Sequence, residues 1–261
     1  MKKDIVAGLG EIGLPILNLL SKNENAIGYD LNKILMNEIL FKKFQEFPTR
    51  FLHIAIPVNK KFNFNVLNLN KKFQPECIVI HSTIRPGTTE QLQKKLSVPV
   101  IFSATRGVHK RMLKDLQRYT KFFAISKTAP KKNWAIAQYR TSMRKCKIKT
   151  QRMSKPETLE LGKIICDTSY FGWLINYAQI SNVIAKSYGV DYDEMWEFSN
   201  EIHKFLGNRP KLYPGFIGGH CVIPNLDLIH DQTLDLIKKM NLNYSKKVKN
   251  SKSIHKKYLK K

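Results

Sequence analysis

Six residues near the start, Gly8-Leu9-Gly10-Glu11-Ile12-Gly13, narrow the folds open to this chain more than any other feature. They follow an apolar run over residues 4–9, the pattern of a buried strand, and open a helical period over residues 12–21. Each glycine at that junction has its own use. The first permits a tight turn, the second lets backbone approach a pyrophosphate, and the third lets the helix pack close on the strand, while the helix N-terminus faces the phosphate charge. A second apolar run, residues 26–30, ends on Asp30, 20 residues after Gly10, where a carboxylate can bind the hydroxyls of an adenosine ribose. An incidental glycine turn has no need of that aspartate. The context therefore points to a Rossmann-type NAD site. Asp30 favours NAD over NADP, because a 2′-phosphate would meet its charge, although Lys33 stands nearby. Gly8, Gly10, Glu11, Ile12, Gly13, Asp30 and Lys33 are the expected cofactor contacts.

The first half continues to alternate apolar runs with helical patterns, as parallel βαβ units do. A helix runs to about residue 43, and strands are expected at 51–56, 77–81, 98–102 and 121–125, with a last helix at 134–143. Pro57 closes one strand and joins the expected cofactor set, and Arg85-Pro86-Gly87 follows another. From Pro156 the period changes. Proline suits a first helical turn, Glu157 and Glu160 complement the positive helix end, and helical runs extend over 157–187 with Gly162 and Gly172 as mild costs. Gly189 ends that helix, a second runs from Asp191 to about Leu206, residues 207–219 form a Gly/Pro-rich loop, and a last helix covers 225–240. The expected fold is α/β: a doubly wound parallel sheet of six or seven strands, then a long helix and a small all-α domain. The divisions are 1–152 for the NAD-binding domain, 153–240 for the helical domain, and 241–261 for a basic tail.

That tail carries eight lysines and no acid, within a chain of 261 residues whose net charge is +25. Lysines are spread over the whole sequence, so solvated faces explain most of the charge. Nucleic acid is not an expected partner despite the tail. No apolar run approaches the roughly 20 residues that span a bilayer, and Asp4 with Gly8, Gly10 and Gly13 interrupts any signal-peptide core. Cysteines 77, 146, 166 and 221 are widely separated, with no CxxC pair, as expected of a reduced cytoplasmic protein without a metal site.

Cys221 lies just after Gly218 and Gly219, where a loop meets a helix. Exposed backbone and a helix N-terminus would lower its thiol pKa and make it reactive. A buried structural cysteine is the other reading of the same residues.

The segment Tyr213-Pro-Gly-Phe-Ile-Gly-Gly-His-Cys-Val-Ile-Pro-Asn225 resembles the GGHCIPxDP and GGxCxPKD loops of the UDP-glucose/GDP-mannose (nucleotide-sugar) dehydrogenase family. Three more segments resemble that family in the same order: the first βαβ unit with Gly-Tyr-Asp30, the stretch Ser82-Thr-Ile-Arg-Pro-Gly-Thr-Thr-Glu90 as its STxPPGTTE loop, and Glu157–Asp167, ETLELGKIICD, as its helix with lysine and asparagine four residues apart. The resemblance implies an NAD-dependent oxidation of a primary alcohol on a nucleotide-linked or phosphorylated sugar, of the kind used in polysaccharide biosynthesis. It makes Cys221 the nucleophile through a thiohemiacetal and thioester, Lys163 the oxyanion-stabilising group, Asp167 or Asn225 the holder of an assisting water, and Thr83 a neighbour of the nicotinamide or reacting carbon. Arg106, Arg209, Tyr213, Gly218, Gly219 and His220 are then the expected substrate contacts, and His109 and Arg111 could also meet an anionic substrate. A homodimer through residues 157–187 is implied as well, with Phe171, Trp173, Leu174, Tyr177 and Ile180 supplying apolar surface.

The departures are specific. Full-length relatives carry a third, Rossmann-like domain that this sequence does not contain. The family's proline–glutamate motif should fall near residues 102–106, where no glutamate stands. Asp167 occupies the asparagine position and Asn225 the aspartate position, so one carboxylate and one amide are kept with places exchanged. Two alternatives remain: a β-hydroxyacid dehydrogenase, which leaves the GGHC loop unexplained, and a non-catalytic NAD-binding protein whose tail recruits a partner.

Overall fold

Short runs rich in Ile, Val and Phe form the strands of the protein, described here from a computed structural model that covers residues 1–206, 214–219, 222–228 and 232–249. Seven strands, β1 (Lys3–Ala7), β2 (Ala26–Tyr29), β3 (Thr49–Ile54), β4 (Cys77–Ile80), β5 (Val100–Phe102), β6 (Lys121–Ile125) and β7 (Thr150–Arg152), make one sheet in the order β2-β1-β3-β4-β5-β6-β7. Six helices accompany them: α1 (Gly13–Leu20), α2 (Glu38–Phe44), α3 (Phe62–Phe73), α4 (Thr88–Gln93), α5 (Met112–Arg118) and α6 (Lys132–Lys145). Alternate residues of each strand face opposite ways, and both faces are covered. Val6, Phe51 and Val79 pack with Ile16 and Leu19 of α1 and Tyr139 and Met143 of α6. Their neighbours Ile5, Leu52 and Ile78 pack with Phe62 and Val66 of α3 and Leu92 of α4. Burial on both faces is why these strands read as continuous apolar runs.

The expected Rossmann-type α/β sheet is present, with two differences. β6 runs antiparallel to β5, whereas β1 to β5 are mutually parallel and β7 is parallel to β6. An antiparallel neighbour needs no crossover back along the sheet, and residue periodicity is the same in either sense. The seventh strand is the polar Thr150-Gln-Arg152 at the sheet edge, too short and too hydrophilic to show a period; its exposed Gln151 and Arg152 also discourage edge pairing.

The chain divides into two compact units between Lys163 and Ile164. The helix expected over 157–187 is three pieces: α7 (Pro156–Gly162), a π-helical segment (Lys163–Ser169) and α8 (Tyr170–Ser187). π-helical turns are rare and recur at functional positions inside α-helices. Here the Ser169 hydroxyl donates to Ile165 O at 2.8 Å, taking up a carbonyl within the widened turn.

The second unit holds α8, α9 (Tyr192–Leu206), α10 (Val222–Leu226) and α11 (Gln232–Lys249). The single helix expected at 225–240 is thus two, and α11 continues through the first nine residues of the expected tail. Asn241 and Tyr244 are buried, the latter accepting from Asn182 Nδ2 of α8 at 3.1 Å. Gly172 is no mere cost. A Cβ there would sit 3.1 Å from Val222 and 3.2 Å from Ile237, so its absence lets α8 approach α10 and α11 closely. Cys77 and Cys146 are buried and Cys166 is exposed. No helix among the described residues is long and apolar enough to cross a membrane.

Candidate active site

In an open sheet ordered 2-1-3-4-5, ligands bind beyond the carboxyl ends of the strands, at the switch between β1 and β3. The glycine turn lies there. Gly8 has φ +91°, and a Cβ on it would meet Ala55 O at 2.6 Å; a Cβ on Gly13 would meet Gly8 O at 1.7 Å. Those two glycines are demanded by the protein's own backbone. Gly10 is not: nothing lies within 4 Å of where its Cβ would stand, and the residue is exposed. The bare backbone at Gly10 faces open space, as a cradle for a pyrophosphate should.

Asp30 ties this turn to β2. Its Oδ2 accepts from Leu9 N at 2.7 Å and its Oδ1 from Asn32 N at 2.8 Å. A carboxylate has further lone pairs, which leaves capacity for ribose hydroxyls. Beside it opens a pocket of about 390 Å³, lined among others by Tyr29, Lys33, Met36, Phe41 and Gln45. That size suits a small ligand, and flat or flexible apolar groups suit a purine. Lys33 is at the pocket, whereas Pro57 is exposed beyond β3 and Glu11 and Ile12 belong to the turn itself.

The turn after β4 carries Thr83, half-buried, next to Ser82, whose hydroxyl donates to Ile56 O at 2.7 Å. The following Arg85-Pro86-Gly87 turn is held from a distance. Glu160 of α7, fully buried, accepts from Gly87 N at 2.6 Å, Thr89 N at 3.0 Å and Thr89 Oγ1 at 2.6 Å. Burial raises its pKa, against the lowering effect of those three donors. Glu160 therefore serves the start of α4 and not, as expected, the start of its own helix. Its clamp brings α7, which leads directly into Lys163, against the 87–89 turn.

Three basic side chains expected to face substrate have protein partners. Arg106 donates to Thr120 O at 2.7 Å and lies over the Phe122 ring; Arg111 pairs with Asp115 at 3.0 Å; His109 pairs with Glu11 at 2.6 Å. Sequence reasoning missed Lys121, which is 5% exposed at the start of β6. Its Nζ donates to Ser103 O at 3.1 Å, Ala104 O at 3.4 Å and Thr105 Oγ1 at 3.2 Å. Burial, with Lys163 and Arg106 nearby, lowers its pKa to about 7. Only its isolation at the head of an apolar strand could have flagged it.

In the second unit Asp167 is half-buried in the π-helical segment and Asn225 half-buried in α10. The loop ahead of Cys221 is held by buried amides: Asn241 accepts from Ile217 N at 2.8 Å and donates to Ile217 O at 3.0 Å, and Gln179 donates to Gly215 O at 2.7 Å. Gly218 and Gly219 are exposed, and Gly219 has φ +73°. Arg209, Tyr213, His220 and Cys221 lie outside the described residues. Among the described residues no three His, Cys, Asp or Glu side chains gather as a metal site would require.

No family model matches this chain, and no curated protein matches it significantly. Solved structures do. The UDP-D-ManNAc dehydrogenase of Pyrococcus horikoshii superposes with TM-score 0.76 at 19% identity, over 95% of this chain and 70% of that one. The UDP-N-acetyl-mannosamine dehydrogenase of Staphylococcus aureus gives TM-score 0.71 at 18% identity, over 94% and 69%. A 3-hydroxyisobutyrate dehydrogenase of Mycobacterium tuberculosis gives 0.65 at 13%, over 95% and 94%. The fold is shared with all three.

Proposed function

We propose that the protein is an NAD-dependent oxidoreductase that oxidises a primary alcohol of a nucleotide-linked or phosphorylated sugar. The observation that carries the cofactor assignment is the open face at Gly10 beside Asp30 and its pocket. The sugar substrate rests on the four ordered motifs and on a fold shared with two UDP-sugar dehydrogenases.

NAD supplies the hydride acceptor; the chain's own residues do the rest. Gly8 to Gly13 and Asp30 hold the dinucleotide, and Thr83 borders the reacting carbon. Lys163 stabilises the oxyanions as the alcohol becomes a carbonyl. Cys221 adds to the aldehyde as a thiolate to give a thiohemiacetal, which must lose a second hydride, to a second NAD, to become a thioester; a water held at Asp167 or Asn225 then releases the acid and frees the thiol. The protein works in the cytoplasm as a homodimer. Tyr177 is 62% exposed on α8, and Met195, Phe198, Ile202 and Phe205 of α9 are exposed at the three-and-four spacing of a helix seam. Trp173 instead packs on its own unit's core. Light scattering should return twice the chain mass; a monomer at working concentration removes the dimer.

NADH formation from UDP-glucose, UDP-N-acetylmannosamine and simple sugar phosphates is the deciding assay. NAD should be preferred to NADP, and Asp30→Ala should narrow that preference by removing the charge that opposes a 2′-phosphate. Cys221→Ser should bind NAD normally yet yield no acid. Acid formed at the wild-type rate by that variant returns Cys221 to a structural role. Turnover of 3-hydroxyisobutyrate alone would favour the hydroxyacid alternative.

A further inference from the structure

We propose that Thr105 and Lys121 form the proton relay that deprotonates the substrate alcohol in the oxidation assigned above, on which this inference rests. The geometry suits a group that gains and loses a proton in place. Three oxygens surround Lys121 Nζ: the carbonyls of Ser103 and Ala104 and the Thr105 hydroxyl. An ammonium can donate to all three. A neutral amine has two hydrogens for the two carbonyls and one lone pair for the threonine O–H. Both states are fully bonded, and only the hydroxyl must rotate between them.

Among the described residues no carboxylate pairs with the amine. Around Lys121 stand His53 of β3, His81 after β4, Arg106 next to Thr105 after β5, Tyr119 after α5, Tyr139 of α6 and Lys163 after α7. Of the acids on the adjoining helices, Glu160 bonds Gly87 and Thr89, Asp115 bonds Val108 N and Arg111, and Glu157 lies near enough to Glu160 to act on it. His81 Nδ1 shares the Ser103 carbonyl, Tyr139 donates to Ser103 Oγ, and both histidines are driven to their neutral forms by burial and by Lys121. A buried lysine so placed releases its proton near neutrality, where a general base works best. Thr105 stands just beyond the carboxyl end of β5, on the ligand side of the sheet, and Lys163 is close enough to act on Lys121 electrostatically.

In the step, the alcohol O–H passes its proton to Thr105 Oγ1 while the Thr105 proton passes to Lys121 Nζ. The C–H bond breaks with its electron pair leaving as hydride to NAD, and the carbon–oxygen double bond forms. The alcohol is oxidised, the nicotinamide reduced, and the proton rests on an ammonium held by two carbonyls.

Two measurements test this. Nitrogen-15 NMR of lysine side chains in the unliganded protein should show one Nζ, absent from Lys121→Met, that titrates near pH 7 and moves in Thr105→Val. A midpoint above about 9, near the ordinary lysine value, overturns the relay. In NADH formation from UDP-N-acetylmannosamine or UDP-glucose, the rate should climb with pH through about 7. Lys121→Met and Thr105→Val should lose that climb and about 100-fold in rate, the scale of lost acid–base catalysis, while Thr105→Ser keeps both. A purely structural role would lower rates without changing the profile, and that result also overturns it. No turnover of any probe by wild type brings down the function proposed above and the relay with it, whereas turnover with an unchanged profile brings down the relay alone.

Discussion

Gly10→Ala and Gly13→Ala, three residues apart in one turn, are expected to fail in opposite ways. A methyl at Gly13 would lie 1.7 Å from Gly8 O and 2.9 Å from Gly8 C. Backbone stands on both sides of that clash, so no flexible side chain can yield. Overpacking of this kind costs about 1–3 kcal/mol or more. At roughly 2–4 °C per kcal/mol for a unit of this size, the melting temperature should fall by about 5–10 °C. Gly10 has open space where its Cβ would be. Its alanine variant should melt within about 2 °C of wild type and yet bind NAD at least about 10-fold more weakly, because the methyl fills the space the pyrophosphate would enter. Calorimetry and a fluorescence titration with NADH separate the two. Wild-type affinity in Gly10→Ala ends the cradle assignment.

Acid should unsettle the protein early. His53 and His81 stack with their ring centroids 5.2 Å apart and are fully buried, His53 Nδ1 lying 2.9 Å from His81 Nε2. Since His81 Nδ1 meets Ser103 O at 3.2 Å, His81 carries its proton there and accepts from His53, whose own Nε2 finds no partner among the described residues. Burial, with Arg50 and Lys121 nearby, lowers the His53 pKa to about 3, and burial and the same lysine lower that of His81. In the unfolded chain both would titrate near 6.5. Below that pH the unfolded state binds protons that the native state refuses, so stability present above pH 6.5 is lost as pH falls toward the folded values. Between pH 6.5 and 4 the loss from His53 alone is about 3 kcal/mol, at 1.36 kcal/mol per unit. Urea midpoints measured across that range should drop steeply in wild type and less steeply in His53→Phe. Parallel slopes would show that the pair does not drive the acid response.

Much of the sheet was legible because its signals are local. A strand buried on both faces is a run of Ile, Val and Phe, and the Gly8–Gly13 turn with Asp30 falls within a single βαβ unit. What stayed hidden depends on residues distant in sequence. The sense of β6, the pairing of the polar Thr150-Gln-Arg152, and the use of Gly172 for close packing against Val222 and Ile237 all depend on partners that no window of neighbours contains. The π-helical turn at Lys163–Ser169 escaped because its residues keep an apolar period compatible with an ordinary helix. Lys121 escaped because a lysine beginning a strand is usually solvated. At the Cys221 loop the motif was legible as a resemblance, and its residues 220 and 221 lie outside those described.

Glu160 closes a contact across 73 residues of chain. During synthesis the Gly87–Thr89 turn therefore emerges long before its acceptor, and until residue 160 leaves the ribosome two amide hydrogens and a hydroxyl wait on water. Ending the first unit at residue 152, after its last strand, would make that wait permanent and leave three donors unmatched, at about 1–3 kcal/mol for each one kept from solvent. The sheet is complete before the turn beside its ligand edge is. The compact unit is longer than the one that its strands outline, and α7 is the last stretch of chain to clasp it.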